Sequence, residues 1–179
     1  MFSLGKETVR HFVRLGASKV ILTSRNASKG QAAKDDIEAS TKRTGVVEVW
    51  PLNLQDFDSV RSFAERVKSL PRIDAVIENA GICERSPSSG TAKAVTLTSS
   101  TATSKFVSVN GIESTILVNV VSTFLLALLL IPHLQQVAKV HHITPTLTIV
   151  SSEVHAFTPV SMPRSHIWSS STDFATVVQ

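Results

Sequence analysis

Residues 73–81, I-D-A-V-I-E-N-A-G, decide the fold that this sequence predicts. Ile73, Ala75, Val76 and Ile77 form a short apolar block that is rich in β-branched side chains, which is typical of a buried strand. Asn79, Ala80 and Gly81 follow the run and favour a turn. In open α/β sheets, ligands bind where strands give way to loops, so this turn is a candidate binding site for a flat ligand.

The chain before this stretch alternates between helical and extended patterns. Apolar periodicity and end signals predict a helix over residues 7–15, ended by Gly16, and a strand over residues 19–23. The next helix is capped by Asn26 or Ser28 and reaches about residue 40, and an extended element follows over residues 46–54. A further helix is capped by Asp56 or Asp58 and ends before Pro71. Such alternation implies parallel strands joined by right-handed crossovers. The predicted fold is α/β, a doubly wound parallel sheet.

The pattern changes after Gly81. Residues 83–105 are dense in Ser, Thr and small side chains, which predicts a flexible insertion. A long helix is expected from Gly111 to about Val140 with a kink at Pro132, and a strand over residues 146–150. No element is assigned to the tail from residue 156. The whole chain, residues 1–179, is predicted to be a single domain.

Composition favours a soluble globular protein. The chain has 179 residues and 19.3 kDa, with 42% hydrophobic and 18% charged residues, which suits one domain. The net charge is +4, but the Lys and Arg residues are scattered and not interleaved with aromatic side chains, so we expect a solvated basic surface and no nucleic-acid partner. No metal site is predicted.

Two further features bear on compartment and membranes. Cys83 is the only cysteine, so no internal disulfide can form, and the N-terminus lacks a basic segment followed by an apolar one; a cytoplasmic location is the expectation. Residues 115–134 are apolar overall, but polar side chains interrupt them and the uninterrupted block, 124–131, is short. A membrane span needs roughly 20 apolar residues. A buried core helix is therefore expected, with no membrane partner.

Three motifs in this order resemble the short-chain dehydrogenase/reductase family: Asn79-Ala80-Gly81 after a strand, Asn119 in the next long helix, and a strand ending in Ser151-Ser152. The resemblance covers roughly residues 3–154 without the insertion. It implies a Rossmann sheet that binds NAD(P) and transfers hydride to or from a carbonyl or alcohol. The wording of H-F-V-R-L-G-A-S-K-V-I-L and V-N-V-V-S-T-F-L-L-A-L-L-L is most similar to fungal reductases of this family, many of which serve secondary metabolism.

The resemblance assigns cofactor-binding roles near the N-terminus. Leu4 and Gly5 resemble the end of the family's Gly-rich turn, which faces the pyrophosphate, and Ser3 stands where a second glycine is usual. Arg25 resembles the residue that selects the cofactor; a guanidinium suits the 2′-phosphate of NADP, whereas a carboxylate would favour NAD. NADP is therefore expected, with NAD less favoured. The alternative is that Arg25 is only a solvated surface charge.

The remaining site residues follow the same resemblance. Asn53 and Leu54 resemble an Asp-Leu pair that contacts adenine, and residues 79–81 would line the adenine ribose side of the cleft. Asn119 resembles the helix asparagine whose backbone holds a water for proton relay; otherwise it is an ordinary polar residue on a helix. Ser152 resembles the catalytic serine that polarises the substrate carbonyl, and Ser151 is its nearest competitor.

The catalytic pattern then departs from the family. The family's general acid is a tyrosine, with a lysine four residues later that lowers its pKa. This chain contains no tyrosine, and its last lysine is Lys139, upstream of Ser152. His155 or His166 could in principle donate a proton, but neither has a lysine after it.

The family resemblance also implies that a central strand and the first glycine of the Gly-rich turn would lie upstream of Met1. The C-terminal strands of the sheet are expected to be missing as well, so residues 1–179 are predicted to form a single incomplete NAD(P)-binding Rossmann domain. Without the central strand, either the strands on its two sides close up on each other or the chain is unstable. The expectation is a truncated form of a longer reductase that acts on a small carbonyl or alcohol and oligomerises through its long helices. The alternative is a catalytically inactive remnant that binds nucleotide or dimerises.

Overall fold

The computed structural model describes residues 4–82, 108–109 and 111–151. The predicted insertion at 83–105 and the tail from residue 156 lie outside these ranges, so both remain predictions. The assignment of residues 1–179 to a single domain also stays a prediction.

The first half of the chain forms the predicted alternation of helices and strands. Its elements are α1 (Leu4–Arg14), β1 (Val20–Ser24), α2 (Ala27–Thr41), β2 (Val47–Pro51), α3 (Phe57–Lys68) and β3 (Ala75–Glu78). Gly16 has a φ of 96°, a left-handed conformation that favours glycine and ends α1 as expected. The observed bounds differ from the predicted ones by up to three residues, which is common at frayed helix ends and strand ends.

Side-chain caps fix where α2 and α3 begin. The Asn26 carboxamide oxygen accepts the Lys29 N–H at 3.0 Å, and the Asp56 carboxylate accepts the Asp58 N–H at 2.9 Å. Each satisfies a backbone donor that the helix leaves without an internal partner. Of the predicted alternatives, Asn26 and not Ser28 caps α2, and Asp56 and not Asp58 caps α3.

The second half begins the long helix later than predicted. A small antiparallel ribbon, β4 (Ser108–Val109) and β5 (Ile112–Glu113), precedes a helical run made of α4 (Ser114–Ile116), a π-helical segment (Leu117–Ser122) and α5 (Thr123–His141). The predicted start at Gly111 is wrong because the Glu113 carboxylate accepts the N–H groups of Thr115 and Ile116, both at 2.9 Å, which caps the helix there. The last strand is β6 (Thr146–Ile149).

The π-helical segment was not predicted from the sequence. The Thr123 hydroxyl donates to the Val118 carbonyl at 2.8 Å, five residues back, and supports the wider turn. Such π segments are rare and often lie at functional sites. Here the segment contains Asn119.

The strands form two parallel pairs. Val20 to Ser24 of β1 pair in register with Val47 to Pro51 of β2, and Ala75 to Glu78 of β3 pair with Thr146 to Ile149 of β6. Among the described residues, no hydrogen bonds join β1 to β3. Of the two predicted alternatives, closure of these strands on each other is wrong, because a cavity lies between them. The other alternative, an unstable chain, stays a prediction.

Helices pack the strand pairs into two hydrophobic clusters. The α1/α2 cluster contains Val9, Val13, Val20, Ile37, Val46 and Val47. The larger α3/α5 cluster contains Trp50, Leu52, Leu54, Val60, Phe63, Ala64, Val67, Ile73, Val118, Leu126, Leu130 and Leu134. Val20 of β1 and Val47 of β2 belong to the α1/α2 cluster, whereas Ile21 of β1 packs against the α3/α5 cluster and Trp50 of β2 belongs to it. Both strands therefore have apolar side chains packed on two faces, as a doubly wound α/β fold requires.

Arg10 ties α1 to α2 from a buried position. It is 8% exposed, its Nε donates to the Ser40 hydroxyl at 2.9 Å, and its guanidinium also contacts Glu7 and Asp36. A buried guanidinium needs such partners, because an unpaired buried charge is strongly unfavourable. The contacts fix the first turn of α1 relative to α2, and with it the position of Gly5.

The helical run Ser114–His141 is long and apolar enough to cross a membrane by length and composition alone. The core helix of a soluble protein meets the same criterion. Six α5 side chains are buried, and α5 packs against α3. These contacts account for the apolar side chains on the buried side of α5 only. The predicted absence of a membrane partner stays a prediction.

Candidate functional site

The carboxyl ends of β1 and β3 meet at one small cavity of about 170 Å³. It is lined by Thr23, Ser24, Arg25, Leu52, Leu54, Ala80, Gly81, Ile82 and Val118. Residues that follow both strands line the same cavity, so β1 and β3 point in the same direction. Four predicted cofactor residues, Arg25, Leu54, Ala80 and Gly81, are thereby brought together.

A second cavity, of about 640 Å³, lies between β1 and β3. Gly5, Asn79 and Ala80 are the predicted site residues that line it. Gly5 lies in the first turn of α1, where backbone N–H groups and the helix dipole favour an anion. The structure therefore brings the first turn of α1 and the loop after β3 to the same cavity, as the family resemblance implies.

Asn119 holds the loop after β3 in place. Its carboxamide oxygen accepts the Ile82 N–H and its Nδ2 donates to the Ile82 carbonyl, both at 2.8 Å. A Cβ at Gly81 would lie 3.2 Å from the Asn119 oxygen, closer than most Cβ contacts. Glycine at position 81 thus lets the loop approach the helix. This side-chain role was not predicted; the expected role of the Asn119 backbone in a proton relay stays a prediction.

Arg25 is free to meet an anion. It is exposed, directly follows β1 and lines the small cavity. Within residues 4–82, 108–109 and 111–151, no carboxylate forms an ion pair with it. Its guanidinium can therefore offer bidentate hydrogen bonds to a ligand.

Asn53 is placed differently from its neighbour. Its side-chain oxygen accepts the Gln55 N–H at 3.1 Å, and its own N–H donates to the Ser59 hydroxyl at 3.0 Å. It lines neither of the two cavities, whereas Leu54 lines both. The predicted adenine contact of Asn53 thus has to share an oxygen already used within the loop.

The remaining predicted site residues either line neither of the two cavities or lie outside the described residues. Leu4 opens α1 and is largely exposed, and Ser151 is exposed after β6. Ser3 and Ser152 lie outside the described residues, so their roles in the Gly-rich turn and in catalysis stay predictions. The alternative proton donors His155 and His166 lie outside the described residues as well.

Glu78, the last residue of β3, was not predicted from the sequence as a site residue. It lines the larger cavity, and both of its carboxylate oxygens are buried with no hydrogen-bond partner among the described residues. Burial raises the pKa of this carboxyl from its ordinary value of 4.5 to about 8. A charged residue at the end of an apolar run, directly before Asn79, was the available signal, but it was treated only as the end of a strand.

The lining of the small cavity suits a flat apolar ligand that carries a negative charge. Leu52 and Leu54 offer apolar surface, and the loop residues Ala80 and Gly81 leave the backbone accessible. Arg25 adds a cation to the same lining. Among the described residues, no group of three or more His, Cys, Asp or Glu side chains could hold a metal ion.

We expect Asn119→Ala to loosen the loop after β3. The change removes two hydrogen bonds to Ile82, and because Asn119 is exposed the expected cost is about 1 to 2 kcal/mol of unfolding free energy. Amide hydrogen exchange should report faster exchange at Ile82. Asn119→Asp is the matched control, since it keeps an acceptor for the Ile82 N–H and loses only the Nδ2 donor. Unchanged Ile82 exchange in Asn119→Ala would contradict the described contact.

Comparisons with known proteins show the family of this chain. The short chain dehydrogenase family model matches residues 2–153. The short chain dehydrogenase/reductase dmxR8 of Cryptosporiopsis sp. is 46% identical over 157 residues, which are 87% of this chain and 43% of that protein. The short chain dehydrogenase atnD of Emericella nidulans is 45% identical over 157 residues, 87% of this chain and 44% of that protein. The chain thus spans less than half the length of these relatives.

A solved structure has the same fold. A crystal structure assigned as a betaketoacyl-ACP reductase superposes with a TM-score of 0.53 and 20% identity, over 89% of this chain and 53% of that one. At this identity the likeness shows the fold alone, a Rossmann-like α/β fold, and confirms the predicted class. The family model matches most of the chain, and the protein therefore belongs to the short-chain dehydrogenase/reductase family, whose members use a nicotinamide nucleotide.

Proposed function

We propose that the complete protein is an NADP-dependent oxidoreductase that interconverts a carbonyl and an alcohol on a small organic molecule. The observation that carries the proposal is the position of Arg25, exposed and without a carboxylate partner among the described residues, in the same cavity as Leu54, Ala80 and Gly81. A role in secondary metabolism is supported by the similarity to fungal proteins of this family. A cytoplasmic location is part of the proposal.

The choice of NADP over NAD rests on charge. Thr23, Ser24 and Arg25 at the end of β1 contain no carboxylate, whereas an acidic side chain there would bind the ribose hydroxyls of NAD and repel a phosphate. A guanidinium beside the cavity forms charge-assisted, bidentate hydrogen bonds with a phosphate. Both observations favour the phosphorylated cofactor.

The chain supplies binding and orientation for the reaction. A bound nicotinamide cofactor would supply hydride, and the first turn of α1 would hold its pyrophosphate. Asn119 fixes the loop after β3 through Ile82, and this loop would contact the adenosine end. Ser152 is proposed to donate a hydrogen bond to the substrate oxygen and so stabilise the negative charge that develops there. The residues of this chain include no tyrosine to complete the family's proton transfer.

We expect Arg25→Ala to weaken NADPH binding by about tenfold or more and to leave NADH binding nearly unchanged, because only the 2′-phosphate loses a charge-assisted partner. Fluorescence titration with both nucleotides measures the two dissociation constants. Arg25→Lys is the matched control, which keeps the charge but loses bidentate geometry, so it should fall between the two. Equal losses for NADPH and NADH would mean that Arg25 does not select the cofactor.

The second candidate function is a catalytically inactive protein that binds nucleotide or dimerises. Ile116, Val120, Phe124, Leu128 and Ile131 are exposed apolar side chains at three- and four-residue spacing along the Ser114–His141 run. This spacing places them on one side of a helix, a face suited to association with a second copy. NADPH consumption with a broad panel of ketones and aldehydes separates the two functions: turnover supports the enzyme, and binding without turnover supports the inactive protein.

A further inference from the structure

Arg25 lies between two residues that are hydrogen-bonded to each other. The Ser24 hydroxyl donates to the Asn26 carbonyl at 2.9 Å, and the Asn26 N–H donates to the Ser24 hydroxyl oxygen at 3.3 Å. Both contacts span Arg25, so the hydroxyl closes a short turn around it. A hydroxyl that bonds the backbone two residues further on is a common way to fix a turn. The backbone of Arg25 is therefore held on both sides.

Ser24 is itself anchored in the sheet. It is the last residue of β1 and lies opposite Pro51 of β2, and its carbonyl accepts the Leu52 N–H at 3.2 Å. Leu52, Ser24 and Arg25 all line the small cavity. Ser24 thus joins two parts of that lining: its carbonyl contacts the segment after β2, and its hydroxyl contacts the loop after β1.

Asn26 is anchored on its other side by α2. Its carbonyl also accepts the Gly30 N–H at 3.0 Å, and its carboxamide oxygen accepts the Ser28 hydroxyl at 2.6 Å and the Lys29 N–H. As the N-cap, Asn26 fixes where α2 begins. Arg25 is therefore the residue between the end of β1 and the N-cap of α2, and the Ser24 hydroxyl joins these two anchors across it.

The hydroxyl proton of Ser24 is used within the turn. A serine hydroxyl has one O–H donor, and here it donates to the Asn26 carbonyl. The Arg25 guanidinium, by contrast, is exposed and has no ion-pair partner within residues 4–82, 108–109 and 111–151. The two neighbouring side chains are thus suited to different tasks: Arg25 can contact an anion, and Ser24 can hold Arg25.

We propose that Ser24 is a positioning residue for cofactor selection, whose hydroxyl holds Arg25 so that the guanidinium meets the 2′-phosphate of NADP. The inference rests on the proposed function, because it requires that Arg25 binds this phosphate. An arginine side chain loses much rotamer freedom when it binds, and a backbone that is already fixed reduces the remaining loss of entropy. Without the hydroxyl, the turn around Arg25 has to be ordered on binding.

Ser24→Ala is expected to weaken NADPH binding about fivefold and to leave NADH binding within about twofold, in fluorescence titrations of the 179-residue chain. NADH has no 2′-phosphate and does not need Arg25, so its unchanged affinity also shows that the variant is folded. Ser28→Ala is the matched control. It removes a hydroxyl that bonds the Asn26 side chain and not its backbone, and both affinities should stay within about twofold of the wild type.

The double variant Ser24→Ala/Arg25→Ala separates positioning from direct contact. If Ser24 acts through Arg25, the double variant binds NADPH as Arg25→Ala alone does, because no guanidinium is left to position. A further loss of about fivefold in the double variant would overturn the positioning role, since Ser24 would then act independently of Arg25. Equal losses of NADPH and NADH in Ser24→Ala would overturn it too, because they indicate a general structural role.

Failure of the proposed function gives a different result. Equal losses of NADPH and NADH in Arg25→Ala, or no binding of either nucleotide to the wild type, would reject cofactor selection by Arg25 and the role of Ser24 with it. A loss of NADPH alone in Arg25→Ala, together with unchanged binding in Ser24→Ala, would reject only the role of Ser24.

Amide hydrogen exchange tests the turn without nucleotide. The Asn26 amide is expected to exchange about threefold faster in Ser24→Ala, because its N–H loses the hydroxyl acceptor. In Ser28→Ala its exchange should stay as in the wild type, since that change leaves the Ser24 contacts intact. An Asn26 amide that exchanges equally fast in Ser24→Ala and the wild type would overturn the proposal.

Discussion

Glu78→Gln is expected to stabilise the folded protein by about 4 kcal/mol at pH 9 and to have little effect near pH 4, because the pKa of Glu78 is raised from 4.5 to about 8. Below pH 4.5 the carboxyl is protonated in both the folded and the unfolded chain, so its ionisation costs nothing. As the pH rises from 4.5 to 8, the unfolded chain loses the proton and the folded one retains it. The stability of the wild-type protein therefore falls across this window.

The physical cause is a carboxyl group with two buried oxygens and no partner within the described residues. Glutamine has the same shape and no charge to desolvate, so the variant should lose this part of the pH dependence. Urea unfolding at a series of pH values between 4 and 9 measures the difference. A constant difference between wild type and variant across that range would show that Glu78 ionises normally in the folded state.

Glu48→Gln is the matched control, because its pKa shift has the opposite sign. A hydrogen bond from Lys19 and a second one from the Trp50 indole lower the pKa of the Glu48 carboxyl. Its ionised form is therefore favoured in the folded state, and the stability it contributes is lost as the pH falls through the lowered pKa. Glu48→Gln should destabilise the protein modestly at neutral pH, where Glu78→Gln stabilises it.

The elements of the first half could be predicted because local chemistry decides them. Asn26 and Asp56 cap their helices through their own side chains, and Gly16 takes a left-handed conformation that few other residues adopt. The alternation of these elements predicted parallel strands, and both observed pairs are parallel. Short-range signals therefore carried the fold class.

Two of the features that escaped prediction depend on contacts between distant parts of the chain. Asn119 forms hydrogen bonds with Ile82, 37 positions away, and no local pattern predicts this pair. The burial of Glu78 depends on which strands lie beside β3, not on its neighbours in sequence. Four residues that the family resemblance assigned to the cofactor, Arg25, Leu54, Ala80 and Gly81, line the small cavity. The resemblance also assigned an adenine contact to Asn53, but the side-chain oxygen of Asn53 already accepts the Gln55 N–H.

The cavity between β1 and β3 was partly foreseen. Counting strands against the family predicted a missing central strand, but the choice between collapse and instability could not be made from sequence. The structure keeps the two strands apart. Val20 of β1 belongs to the α1/α2 cluster, whereas Ile21 of β1 and Val76 of β3 pack against the α3/α5 cluster, so helices of both clusters hold the strands beside the cavity.

Trp50→Ala is the second change with a large expected effect, a loss of about 3 to 5 kcal/mol of unfolding free energy. The side chain is 4% exposed and lies in the α3/α5 cluster. Its ring meets that of Phe63 edge to face with centroids 6.0 Å apart, and the Arg66 guanidinium lies 3.8 Å above its centroid. Alanine would remove both contacts and leave a cavity between β2 and α3.

A loss of that size matters because domains are stable by only about 5 to 15 kcal/mol, so Trp50→Ala should leave a large unfolded fraction or a strongly lowered Tm, followed by circular dichroism. Trp50→Phe is the matched control: it retains an aromatic ring against Phe63 but loses the indole donor to Glu48, at 3.1 Å in the wild type, and should cost far less. Because β2 reaches α3 through this ring, the two variants together measure how firmly the β1/β2 pair is joined to the α3/α5 cluster. A loss below about 1 kcal/mol in Trp50→Ala would mean that this junction is not closely packed, and that the walls of the cavity between β1 and β3 can move.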